Sequence, residues 1–228
     1  MKKRILSYFS PFEIGLWSGS VVLTTAAFLL FDRGNYLMLA ACVIGATYLI
    51  LNAKGNPVGQ VLAVLFSMLY GYISYTFAYY GEMLTYLGMS APMAVFALIS
   101  WLRHPHKGNH AEVQTAELTK CDIIKTTLLT AAVTFVSYFV LRYFGTANLL
   151  PSTFSVATSF AAVYLMYLRS RYFTLAYALN DVVLIVLWIL ASLTDPHYIP
   201  VVICFVMFLV NDLYSFLSWT RMERRQQL

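Results

Sequence analysis

Residues 172–194 read YFTLAYALNDVVLIVLWILASLT, a run in which Asp181 is the only charged side chain. As a helix rising 1.5 Å per residue, such a run spans roughly 34 Å, enough to cross a hydrocarbon core of about 30 Å. Apolar residues occupy every side of it, leaving no face for water, which is the pattern of a helix in lipid or among other helices. Seven further runs of the same kind occupy 13–31, 35–53, 58–80, 82–102, 121–145, 151–168 and 197–220. The composition agrees: 60% hydrophobic, 16% aromatic and 11% charged residues in 228 positions are not the figures of a soluble domain. The chain reads as an all-α polytopic membrane protein of about eight transmembrane helices.

The cations orient it. With a cytoplasmic N-terminus, the inner face carries Lys2, Lys3, Arg4, Lys54, Arg103, Lys107, Lys120, Lys125, Arg169, Arg171, Arg221, Arg224 and Arg225, leaving Arg33 and Arg142 outside. Both termini then lie in the cytoplasm, and the membrane is a cell membrane, inner or plasma. The formal net charge of +5 reports this topology and contact with anionic lipid. It gives no support to nucleic-acid binding, which needs a basic patch on a folded surface. Met1-Lys2-Lys3-Arg4 resembles the start of a secretory signal, but Pro11 and Glu13 interrupt the apolar run behind it and no small-residue cleavage site follows.

Several motifs are absent. Cys42, Cys121 and Cys204 are odd in number and lack CxxC spacing, so they read as small apolar fillers. There is no GxxxxGK[ST] loop for a nucleotide phosphate and no HExxH, and His104, His106, His110 and His197 fall at helix ends or in loops. ATP-driven transport by this chain alone, metal-dependent hydrolysis and a resident cofactor or metal are all disfavoured. Gly15 and Gly19 have the spacing that lets the first helix approach another helix or protomer.

Shifting the chain by 118 residues uncovers an echo: Tyr80 falls on Tyr198, Met89 on Met207, Ser100 on Ser218, Trp101 on Trp219 and Arg103 on Arg221, with Ser74 on Ser192 in the preceding helix. The offset spans four helices, an even number, so the copies have the same orientation and form a parallel repeat. The organisation is three plus one plus three: an N-terminal tail and extra helix at 1–34, a first three-helix bundle at 35–102, a cytoplasmic linker at 103–120, a linker helix at 121–145, a second bundle at 151–220 and a tail at 221–228.

In a repeat of this kind the binding site falls between the bundles near the midplane, so polar residues inside helices carry the most weight. Asn180-Asp181 and Asn211-Asp212 each sit near the middle of a span, where a carboxylate costs roughly 2.5–3.5 kcal/mol by insertion scales. Helical spacing puts Phe173, Tyr177, Asn180, Leu184 and Trp188 on one stripe of the seventh helix, and Met207, Asn211, Tyr214 and Ser218 on one of the eighth. Gln60, Ser67, Tyr70 and Ser74 form a stripe on the third, and Ser152, Ser155 and Ser159 on the sixth. Amides, hydroxyls and rings together suit a flat polar ligand. Asp181, Asp212 and Glu82 could neutralise a cationic one, whereas no Lys or Arg inside these helices awaits a phosphate.

Residues 54–225 resemble the PnuC-type vitamin transporters, on Tyr79-Tyr80-Gly81-Glu82-Met83, Ser100-Trp101, Arg171-Tyr172 with Asn180, and Asn211-Asp212-Leu213-Tyr214-Ser215-Phe216 followed by Trp219. The resemblance implies a fold related to the sugar-transporting SWEET proteins, facilitated diffusion without ATP, trapping of the vitamin by a cytoplasmic kinase, and a homotrimer. Members that carry nicotinamide riboside have a WxxWxxxN arrangement where this chain has Phe173, Ala176 and Asn180. The expected activity is therefore uptake of nicotinamide riboside, with thiamine or a (deoxy)nucleoside as the alternative on the same fold. The expected substrate-binding residues are Asn180, Asp181, Asn211, Asp212, Phe173, Tyr177, Trp188, Tyr70, Tyr214 and Glu82. Readings of another class are a noncatalytic membrane scaffold whose Asn-Asp pairs are interhelical glue, and a membrane enzyme using Asp181 and Asp212 as an acid–base pair.

Overall fold

The computed structural model describes residues 8–76, 80–146 and 148–228. Lys2, Lys3 and Arg4 of the charge tally and Tyr79 of the resemblance lie outside them. Among the described residues, eight helices long and apolar enough to cross a membrane follow in order: α1 (Pro11–Phe31), α2 (Tyr36–Ala53), α3 (Val58–Thr76), α4 (Tyr80–Arg103), α5 (Lys120–Tyr143), α6 (Leu149–Tyr167), α7 (Tyr172–Ser192) and α8 (Ile199–Gln227). The protein is a multi-pass membrane protein.

Helix starts follow local chemistry. Pro11 opens α1, where a missing N–H costs nothing, and Ser10 and Glu13 cap each other reciprocally. The two residues that interrupt the apolar run in the sequence thus begin the span. Thr119 and Asp122 do the same for α5.

Helices α2, α3 and α4 pack together, as do α6, α7 and α8, and the two groups meet where α8 lies on α2 and α4 on α6. Helix α1 rests on α2 and α8, tied by Glu13, which takes Lys54 Nζ at 3.1 Å and Tyr214 Oη at 2.9 Å. Helix α5 packs on α6 and is buried over only 6% of its most apolar window.

At the end of the bundle carrying residues 104–119, the two groups hold each other by matching bonds. Ser100 Oγ donates to Tyr167 O at 2.9 Å and Trp101 Nε1 to Met166 O at 3.1 Å. Across the molecule, Ser218 Oγ donates to Ala53 O at 2.7 Å and Trp219 Nε1 to Asn52 O at 2.8 Å. The residue pairs that echo at a shift of 118 therefore make the same two bonds to the end of the first helix of the opposite group.

Four features differ from the hydropathy reading. First, residues 105–113 are a short antiparallel hairpin, β1 (Pro105–His106) and β2 (Asn109–Val113), rather than a plain linker. Val113, fully buried, packs with Trp101, Trp219 and Met222. Second, α8 runs to Gln227, beyond its apolar stretch, because its polar end is held by Glu223 to Arg171 at 2.8 Å and Gln226 Nε2 to Val113 O at 3.0 Å. Third, α4 widens into a π-helical turn over Leu84–Ser90, just before Pro92, whose missing N–H cannot complete a regular ladder. Fourth, Cys42 and Cys204 are buried as fillers, whereas Cys121 is exposed at the start of α5, the helix with least packing. Gly15 and Gly19 face open space within this chain, so no close helix approach uses them here.

Candidate functional site

Two aromatic clusters bracket the middle of the bundle. Towards the hairpin end, Trp101 and Trp219 lie 5.5 Å apart and the Phe173 ring stands edge-on to Trp219 at 4.9 Å. Towards the opposite end, Tyr70 stacks on Phe66 at 5.6 Å and touches Tyr86 at 4.5 Å and Trp188 at 6.5 Å. Between them lies a central cavity of about 30 Å³, roughly the space of one water molecule.

The cavity draws on both groups of helices. Helix α7 contributes Tyr177, Asn180 and Asp181, and α8 contributes Phe205, Phe208 and Asp212. Helices α2, α3 and α4 add Tyr48 and Asn52, Phe66 and Ser67, and Tyr86. The π turn carries Tyr86, so the extra residue in that turn sets which way this ring points. Glycine at 45 lets α8 come close, since a Cβ there would clash with the Phe208 ring.

Asn180, 3% exposed, has its side-chain oxygen fixed from α6, accepting from Thr158 Oγ1 at 2.8 Å and Ser159 Oγ at 2.9 Å. Its amide nitrogen is left on the cavity side. Asp181 and Asp212 are both buried and both line the cavity, and Asp181 Oδ2 has no hydrogen-bond partner among the described residues. At the hairpin side, Gln60 Nε2 donates to Asn52 Oδ1 at 3.0 Å and touches Met166 Sδ at 3.2 Å, closing the floor. Among the described residues, no Lys, Arg or His lines the cavity.

The remaining candidates lie elsewhere. Phe173 belongs to the hairpin-end cluster, and Tyr70 and Trp188 to the opposite one. Asn211 turns towards α1, donating to Ser20 Oγ at 3.0 Å and to Met207 O at 2.7 Å, and Tyr214 bonds Glu13 on the same side. Neighbouring positions on a helix point about 100° apart, so Asp212 faces the cavity while Asn211 faces away. Glu82 lines a larger vestibule of about 440 Å³ at the end opposite the hairpin, together with Trp188, Tyr198 and Asp195. There the backbone N–H of His197, then its ring, hydrogen-bond Asp195 and hold that carboxyl below its ordinary range.

Sequence reasoning missed Tyr48, Asn52, Phe66, Tyr86, Phe205 and Phe208. With 17 Tyr and 16 Phe in the chain, an aromatic carries little signal by itself. Asn52 stands two residues before Lys54, at the end of its span, where a polar side chain carries no signal of its own. The one usable signal was its mate Gln60, a fully buried amide on the polar stripe of α3.

Comparison with known proteins places this geometry. A family model described as nicotinamide mononucleotide transporter matches residues 35–221. The chain is 26% identical over 228 residues to the nicotinamide riboside transporter PnuC of Neisseria mucosa, covering 98% of this chain and 86% of that one. It is 22% identical over 226 residues to the nicotinamide riboside transporter PnuC of Haemophilus influenzae, covering 99% and 96%. The crystal structure of a vitamin B3 transporter PnuC superposes with a TM-score of 0.83 at 25% identity, over 96% of this chain and 94% of the other.

Proposed function

The chain belongs to the nicotinamide mononucleotide transporter family, and from that premise we propose that it takes up nicotinamide riboside by facilitated diffusion without ATP. The observation that carries the reading is the central cavity, which combines an oriented amide, two carboxyls and a wall of rings with no basic side chain among the described residues. A riboside with a positively charged pyridinium ring matches each part: rings for the plane, amide for its polar edge, acids for its charge. A phosphorylated nucleotide finds no Lys or Arg there among the described residues, which favours the riboside over the mononucleotide of the family's description.

Asn180 donates to the ligand from its free amide nitrogen, while Tyr177, Tyr48 and Tyr86 enclose it. A cavity of about 30 Å³ is far too small for a nucleoside, so the structure corresponds to a closed state between the two aromatic clusters. Access comes from rocking the two three-helix groups about their shared contacts. The hairpin end, with its basic residues, faces the cytoplasm of an inner-type membrane; a kinase there traps the vitamin, and the protein works as a trimer.

Thiamine is the second reading. It too carries a flat cationic ring, and the paired tryptophans of the riboside carriers are absent here from positions 173 and 176. Uptake of labelled nicotinamide riboside, thiamine and thymidine into liposomes, with no imposed ion gradient, tests both. Saturable equilibration of the riboside, abolished by Asn180→Leu in protein that still inserts, is the expected result. Failure of every ligand in folded protein would return the chain to the scaffold reading.

A further inference from the structure

The vestibule at the end opposite the hairpin lies outside the closed cavity and is large where the cavity is small. Its volume of about 440 Å³ falls within the roughly 300–1,000 Å³ that small-molecule sites occupy. Its wall comes from the start of α4, the start of α6, the end of α7 and the turn that leads into α8, so both three-helix groups contribute. Trp188 belongs to this wall and also to the aromatic cluster that closes the cavity: its ring lies 5.4 Å from that of Tyr198 in the vestibule and 6.5 Å from that of Tyr70. A solute in the vestibule therefore rests directly on the closing rings.

Two carboxyls line the vestibule, and among the described residues no Lys, Arg or His does. The two are not equivalent. Asp195 is exposed, and its Oδ1 already accepts from the backbone N–H of His197 at 3.0 Å and bonds the ring Nδ1 at 2.7 Å. Glu82 is half-buried on α4, and its Oε2 is shielded from the surface with no hydrogen-bond partner among the described residues. A carboxylate held away from water without a counter-charge is costly, and a cation brought alongside offsets that cost. An aromatic cation adds stacking on Trp188 and Tyr198, whose faces attract positive charge. Thr194 and Asn148 supply a hydroxyl and an amide on the same wall, which suits a ligand that also carries sugar hydroxyls.

We propose that the vestibule is a second, weaker binding site, where Glu82 catches an aromatic organic cation against Trp188 and Tyr198 before the rings beneath it part. The carboxylate selects for positive charge and the two rings for a flat ligand. Because the site is open on one side, the cation stops there in passage, and when Trp188 and Tyr70 separate it moves inward to the level of Asn180. Neutral solutes of the same outline reach the cavity without this stop. The inference rests on the riboside reading above and adds to it the place where the ligand first binds and the side chain that selects its charge there.

The test is calorimetric titration of the purified full chain with nicotinamide riboside. Wild type should bind in two phases, about one molecule per chain in the cavity and about one, more weakly, in the vestibule. Glu82→Gln keeps the side chain's shape and removes its charge, and it should weaken the second phase by roughly tenfold while the first remains visible. Asn180→Leu should do the reverse, losing the first phase and keeping the second. The dihydro form of the riboside, which has nearly the same outline and no charge, should show no second phase on wild type, a check that needs no variant to fold. A single wild-type phase that Glu82→Gln leaves unaltered would overturn the vestibule site and leave the riboside reading standing. A second phase equally strong for the dihydro form, or in Glu82→Gln, would overturn the part given to the carboxylate and the proposal with it. Absence of any riboside binding by folded wild type would overturn the transport reading and this inference together.

Discussion

The orientation of Asn180 rests on two neighbouring hydroxyls of α6, and they are not equivalent. Thr158 Oγ1 lies 2.8 Å from Asn180 Oδ1 but also 3.0 Å from the carbonyl oxygens of Phe154 and Ser155. Its single proton has three takers. Ser159 Oγ, at 2.9 Å, makes its one hydrogen bond to Asn180. Ser159 therefore fixes the amide with its oxygen towards α6 and its nitrogen towards the cavity. Ser159→Ala leaves the oxygen to Thr158 and should cost about 1 kcal/mol of ligand binding, a rise in Kd of about fivefold. Adding Thr158→Val strands the buried oxygen and lets the amide turn over, presenting an acceptor where the ligand meets a donor. A loss of about 2 kcal/mol, or roughly 30-fold in Kd, then follows. Calorimetric titration of nicotinamide riboside into wild type, the single and the double variant measures both steps. A folded double variant that binds within twofold of wild type would refute the claim that α6 orients this amide.

Two other outcomes follow from the packing. Ser100→Ala combined with Ser218→Ala removes two of the four matched Ser and Trp bonds that join the helix groups at the hairpin end. Thermal denaturation in detergent should show a loss of about 1–2 kcal/mol, with each single variant contributing about half. Gly45→Val drives a side chain into the Phe208 ring. It should cost about 1–3 kcal/mol of stability and abolish uptake by filling the cavity, both readable in liposomes made with the purified variant.

Hydropathy alone made the eight spans legible because lipid leaves so few options: a chain this apolar must satisfy its backbone inside helices of about 20 residues. The same measure is blind to interactions outside the hydrocarbon. The end of α8 beyond Arg221 is polar, so its helical continuation depends on Arg171, Val113 and Glu112, residues distant in sequence. The hairpin at 105–113 was equally hidden, since its anchor is the single buried Val113. Polarity inside a span picked out Asn180, Asp181 and Asp212, which the structure gathers around one cavity. It could not separate Asp212 from Asn211, because the choice between adjacent faces depends on where α1 packs, and α1 lies at the far end of the sequence.

Spacing also conceals depth. Phe173, Tyr177, Asn180 and Trp188 share a stripe of α7, but Phe173 and Trp188 stand fifteen residues apart, a rise of about 22 Å along the axis. A nucleoside is roughly half that length, so it cannot touch both ends of the stripe at once. The structure sorts these residues into three levels: Phe173 with the hairpin-end tryptophans, Tyr177 and Asn180 at the cavity, and Trp188 beside Tyr70. A binding pocket collects its contacts at one level. Contacts laid out along one face over the depth of a bilayer suit a ligand that meets them in turn. On this argument the rings at the two ends close the cavity from either side, and only the middle level holds the ligand at rest.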